Sequence, residues 1–125
     1  MDAPLHTDAR RFDCFALGAE TVACALGAMS VFDEVGWEAI HVRAAELADT
    51  LVARLGQLGR AVAPRGRSTL VSFHSADPPA ERLRLAERGV VVRDIPNRAL
   101  LRASVGAWNN EQDIERLIDG LGELS

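Results

Sequence analysis

Leu100-Leu101-Arg102-Ala103-Ser104-Val105-Gly106-Ala107-Trp108-Asn109-Asn110-Glu111 changes its period half way along. Up to Val105, apolar and polar residues alternate, so a strand places Leu101, Ala103 and Val105 on one face and Leu100, Arg102 and Ser104 on the other. Gly106 turns the chain, and the asparagines open a helix. Asn109 with Gln112 three residues later forms the expected capping box, and Ile114, Leu117, Ile118 and Leu121 make that helix's apolar stripe. Arg102 thus projects opposite the apolar set, beside a small hydroxyl and just ahead of a helix N-terminus. A guanidinium there offers a planar fork that matches a carboxylate with two parallel hydrogen bonds. A half-exposed strand arginine without a ligand satisfies the same spacing.

Working outward, Val90-Val91-Val92-Arg93 is expected as a strand whose valine run implies burial on both faces. Asp94-Ile95-Pro96-Asn97-Arg98 is a tight connection into the Arg102 strand. Asp77 at N-cap and Pro78 at the first helical position start a helix that runs to Arg88 and stops at Gly89. Thr69 to His74 alternates, Thr69, Val71 and Phe73 against Leu70, Ser72 and His74, and forms a further strand. His74 has no acidic or cysteine partner at useful spacing and is taken as structural. Arg60 to Ala63 is a short strand, followed by a turn at Pro64-Arg65-Gly66-Arg67 whose two arginines either stay solvated or hold a phosphate.

The long segment Trp37 to Leu58 carries Trp37, Ile40, Ala44, Leu47, Leu51, Leu55 and Leu58 in a 3-4 rhythm, the pattern of a helix packed in a layer. Gly59 supplies its C-cap. His41 flanks the stripe and is expected to be partly buried and hydrogen-bonded. An earlier helix spans about Ala19 to Asp33 and ends at Val35-Gly36. Its Val22, Ala25, Leu26, Met29 and Phe32 are expected to enter the core. Residues Met1 to Phe15 form an extended lead-in, leaving 16–125 as the domain proper. The order helix, helix, strand, strand, helix, strand, strand, helix describes a two-layer α+β domain. Its sheet is expected to be small and mixed, with three to four strands covered by helices.

The 125 residues suffice for one domain around a single core. A net charge of −4 without a basic block gives no nucleic-acid footprint. No apolar run is long enough to cross a membrane, and the first residues lack the pattern of a secretory signal, so a cytoplasmic location is expected. Cys14 and Cys24 have no CxxC spacing and no histidine pair nearby, which argues against a metal site and a disulfide framework. All 14 basic residues are arginine. Without a lysine, the chain cannot form a lysine Schiff base or use a lysine as general base.

Gly89-Val90-Val91-Val92-Arg93, followed closely by Leu101-Arg102-Ala103-Ser104-Val105 and Trp108-Asn109-Asn110, resembles the C-terminal small domain of class V aminotransferase-like, pyridoxal-phosphate-dependent enzymes of fold type I. Asp8-Ala9-Arg10-Arg11-Phe12-Asp13 is similar to the family's linker between its two domains. The Trp37–Leu58 helix and the strand at Leu70-Val71-Ser72-Phe73 fit the same pattern, so the resemblance covers about Asp8 to Leu124. It implies that Arg102 holds the α-carboxylate of an amino-acid substrate. Asn109 either helps shape the same mouth or only caps the last helix.

The resemblance also implies what this chain lacks. The Schiff-base lysine, the ring-stacking residue and the acidic partner of the pyridine nitrogen belong to the family's large domain, absent here. No catalytic, cofactor-binding or metal residue is therefore expected, and pyridoxal phosphate, the cofactor of the intact family, is not expected to be bound covalently. At Cys14-Phe15-Ala16 many members carry a Gly-Thr that reaches the partner subunit's cofactor phosphate; neither residue is present. The short Asp94–Ala99 loop has no cysteine, which disfavours the desulfurase branch and leaves aminotransferase, epimerase-like and carbon–sulfur lyase branches open.

Three outcomes follow. The chain is a truncated or split small domain, inactive alone, with an apolar patch near the first helix and the lead-in that covers a large pyridoxal-phosphate domain or a homodimer partner. Alternatively, it is a stand-alone ligand-binding or protein-interaction module that kept the fold without the chemistry. In the third, it docks onto a separately encoded lysine-bearing half.

Overall fold

The computed structural model describes residues 7–12 and 18–122. The readings placed on Met1 to His6 and on Cys14-Phe15-Ala16 lie outside them. The chain divides into two units, Met1–Gly36 and Trp37–Ser125.

The first unit holds a short 3-10 turn, Ala9–Phe12, and helix α1, Ala19–Val35. Gly36 ends α1 at φ 93°, a conformation that a side chain would strain, and donates its N–H to the carbonyl of Phe32 at 2.9 Å. The stripe expected to be core is not: Val22, Leu26, Met29 and Phe32 are all exposed, and no α1 residue is buried. A 3.6-residue period identifies a helix face but not what covers it.

In the second unit, α2 spans Trp37–Gln57, α3 Pro78–Glu87 and α4 Glu111–Gly122. Strands β1 (Leu70–His74), β2 (Arg93–Asp94) and β3 (Leu100–Ser104) form a sheet in the order β1-β3-β2. The fold is α+β, as expected. The α3 crossover makes β1 and β2 run the same way, but β3 inserts between them, so both ladders are antiparallel and the sheet is not mixed. The strand expected over Arg60 to Ala63 shrinks to one bridge, Val62 to Phe73, flanked by Ala63 N–H to Ser72 O at 2.8 Å and His74 N–H to Ala61 O at 2.9 Å. With that bridge counted, the element order is the expected one.

The valine strand is also corrected. Pairing begins only at Arg93, Val92 is buried, and Val91 is 90% exposed. β2 is an edge strand, so a valine run there has a neighbour on one side only, and alternation turns every second residue outward.

The helix ends follow local rules. Asp77 caps α3 by accepting the N–H of Ala80 at 3.1 Å, with Pro78 as the first helical residue. Gly89 (φ 74°) and Gly59 (φ 72°) close α3 and α2 in the same way. Val90 N–H reaches back to Leu85 O and Arg60 N–H to Leu55 O, each at 2.9 Å, so the last carbonyls find donors. The α4 cap lies one residue later than expected. Asn110 Oδ1 accepts from Asp113 N–H at 3.0 Å while Asp113 Oδ2 accepts from Asn110 N–H at 3.1 Å, a reciprocal box built on Asn110 and Asp113.

The core lies between the sheet and the helices. Val71, Phe73, Leu101 and Ala103 from β1 and β3 pack with Leu47, Leu51 and Leu55 of α2 and Ile114, Leu117 and Leu121 of α4. Both apolar faces derived from alternation are buried there. Ion pairs tie the helices at the rim: Arg43 Nη1 lies 2.9 Å from Glu111 Oε1, and Arg54 Nε 2.9 Å from Glu115 Oε1. His41 is exposed rather than partly buried, and its ring stacks on Trp37 at 6.2 Å between centroids. It sits one turn into α2, before the buried stretch that starts at Ala44.

Candidate functional site

β3 is the central strand, and its alternation decides what each face carries. The inward residues are buried. The opposite face holds Leu70, Ser72 and His74 from β1 and Leu100, Arg102 and Ser104 from β3, all half-buried or exposed. Arg102 is in the middle row. Ser72 stands directly across from it on β1, and Arg93 directly across on β2.

The expected outward placement of Arg102 is therefore what the fold provides. Its Nε is enclosed and, among the described residues, has no hydrogen-bond partner. A buried donor left without an acceptor costs roughly 1–3 kcal/mol, more for a charged group. Such a group calls for an explanation.

Arg93 was not singled out by sequence reasoning, yet it shares this row. The signal was available in the hairpin: Pro96-Asn97 turns the chain, Arg98 N–H reaches Ile95 O at 3.1 Å, and Ile95 N–H reaches Leu100 O at 3.0 Å. Counting two residues back from Ile95 and two forward from Leu100 gives Arg93 opposite Arg102. Asp94, next in the chain, points to the other face and is bound there by Arg82 of α3, Nε to Oδ1 at 2.9 Å.

Asn109 makes its hydrogen bonds to Gly106 and Asp113 rather than to Arg102. It lines a groove of about 260 Å³ where Val90 to Val92 diverge from the end of β3, opposite Ile114 and Leu117 of α4. Its side chain is committed to the loop. Oδ1 accepts from Gly106 N–H at 2.9 Å and Nδ2 donates to Asp113 Oδ2 at 3.2 Å. The hydrogen bond from Asn109 is the main cause that holds the Asp113 carboxyl below the usual carboxylate range, with Asn110 N–H and Arg116 adding to it. Asn109 thus organises the approach to α4. Gly106 is needed in that loop because the Trp108 indole lies against it, where a Cβ would collide.

The turn arginines divide. Arg65 is held by Asp49 and by the carbonyl of Ser68, so it is neither solvated nor open to a phosphate. Among the described residues, no group of histidine, cysteine and carboxylate side chains is arranged to hold a metal ion. No described helix is long and apolar enough to cross a membrane. The cationic groups of the Arg102 face are guanidinium groups, which cannot form an imine with an aldehyde cofactor. Covalent pyridoxal phosphate does not fit this chain's residues.

Compared with known proteins, the chain matches no family model and no curated protein. Solved structures do match. A Burkholderia pseudomallei protein assigned as an aminotransferase is similar over 66% of this chain and 26% of its own, with 26% identity and a TM-score of 0.57. The apo structure of a cysteine desulfurase from Thermococcus onnurineus covers 97% of this chain and 34% of its own, with 20% identity and a TM-score of 0.76; that likeness is one of fold. The chain therefore spans between a quarter and about a third of the length of the enzymes whose architecture it shares.

Proposed function

We propose that the chain is the substrate-carboxylate-binding small domain of a pyridoxal-phosphate-dependent, class V aminotransferase-like enzyme, with Arg102 as the clamp on the α-carboxylate. In this reading residues 1–15 are the lead-in and 16–125 the domain. The observation that carries the proposal is the guanidinium of Arg102, held mid-strand on the face opposite the core with its Nε enclosed and without a partner among the described residues. The likeness to an aminotransferase and a cysteine desulfurase, each over a fraction of its length, supports the same reading. So does the apolar exposed face of α1, which suits association with a further domain or subunit.

In this arrangement the chain binds and orients; it does not catalyse. The cofactor, held by a lysine-bearing large domain, supplies the electron sink, and Arg102 fixes the amino acid by two parallel hydrogen bonds to its carboxylate. Asn109 only shapes the loop. The lack of a cysteine between Asp94 and Ala99 favours the aminotransferase, epimerase-like and carbon–sulfur lyase branches over the desulfurase one.

Titrating the chain with alanine tests the clamp. Backbone amide shifts are expected to move around Leu101 to Ala103 and to stop moving in Arg102→Gln. Shifts that persist in the variant sink the assignment. An antibody against α4, used on source cells, tests the partnership. A much longer product, or a co-purifying lysine-bearing protein, is expected, and a lone product of this size favours the stand-alone module.

A further inference from the structure

We propose that the sheet face around Arg102 takes a ligand with two carboxylates, Arg102 holding one and Arg93 the other. This rests on the reading of Arg102 as a carboxylate clamp and narrows it to a substrate class. Arg93 pairs with Arg102 in the β2–β3 register, so both side chains leave the same face from neighbouring strands, about 4.5–5.5 Å apart at Cα.

Like charges directly opposite each other weaken a ladder. Elsewhere, arginines that meet a neighbouring element find acids: Arg43 on Glu111, Arg54 on Glu115, Arg60 on Glu81 and Arg82 on Asp94. Among the described residues, the Arg93–Arg102 row has none. The remaining outer positions of β1 and β3 are Leu70, Ser72, His74, Leu100 and Ser104, and the adjacent Asp94 is turned away and bound.

Two planar forks side by side, one with an enclosed unsatisfied Nε, exceed what a single carboxylate satisfies. A ligand with two carboxylates a few bonds apart occupies both. An amino acid with a second, distal carboxylate meets that description, its α-carboxylate on Arg102 and its side-chain carboxylate on Arg93.

The test compares succinate with butyrate, equal in carbon number and differing by one carboxylate, on the full chain at fixed ionic strength by calorimetry. Succinate is expected to bind about tenfold more tightly or better. Arg93→Gln should bring succinate down to the affinity of butyrate and leave butyrate unchanged. Arg102→Gln should abolish binding of both. Arg84→Gln removes the same charge from α3, in the helix layer, and should change neither.

Equal affinities for the two acids overturn the inference, as does a loss in Arg84→Gln that matches Arg93→Gln. Inorganic phosphate binding that needs both arginines, with no preference for succinate, also overturns it. If butyrate binds through Arg102 and succinate gains nothing, the single clamp stands and only the dicarboxylate reading fails. If no binding depends on Arg102, both fail.

Discussion

Arg60 Nη2 lies 2.7 Å from Glu81 Oε1, and the Glu81 side chain is only 4% exposed. The pair joins the segment beside the Val62 bridge to α3. Arg60→Met leaves a buried carboxylate without its cation and should cost roughly 3 kcal/mol. Combining it with Glu81→Leu should recover most of that loss, because the uncompensated charge is gone. Urea denaturation midpoints of the single and double variants check both expectations.

Phe73 and Leu26 separate core from stripe. Phe73 is fully buried between β1 and the helices, and Phe73→Ala should cost about 3–5 kcal/mol. Leu26 is 60% exposed on α1, and Leu26→Ala should stay within about 0.5 kcal/mol. Equal losses in a denaturation series mean that the α1 face is packed in solution.

The carboxyl of Asp113 is held low first by Asn109, then by Asn110 N–H and Arg116. A carboxyl lowered on folding contributes stability above its unfolded pKa, about 3.9, and that contribution disappears as pH falls through the folded value. Asp113→Asn should therefore lower the urea midpoint at pH 6, with the gap to the parent closing as pH falls below the unfolded value and through the lowered folded one. A gap independent of pH means that the charge is not its source.

Asn97 holds φ 59° in the turn that joins β2 to β3. Asparagine tolerates that region better than most side chains, and glycine better still. Asn97→Ala should cost about 1 kcal/mol and Asn97→Gly nothing, as read from thermal melting.

Period-two alternation made β1 and β3 legible residue by residue, because one face of each is buried and the other is not. Gly59 and Gly89 were legible as helix ends because each adopts a positive φ. The α4 cap was missed by one position: Asn109 and Asn110 both suit a cap, and only geometry shows that Asp113, not Gln112, closes the box. The α1 stripe misled because periodicity says nothing about the neighbour. Of the site, Arg102 was read correctly as outward, whereas Arg93 was passed over as the end of a valine run. Its importance depends on pairing across a hairpin, a long-range fact that local patterns carry only when the register is counted out.

Beyond Arg93 the ladder stops, and Val91 and Val92 take no part in it, with Val91 almost wholly exposed at the sheet's rim. Backbone outside the ladder beside an exposed valine is material for a strand from another molecule to add to. Arg93 flanks the valine run with positive charge, the arrangement that keeps sticky segments from seeding one another. By that argument, Arg93→Gln protein should scatter more light than the parent, at concentrations well above those used to measure binding.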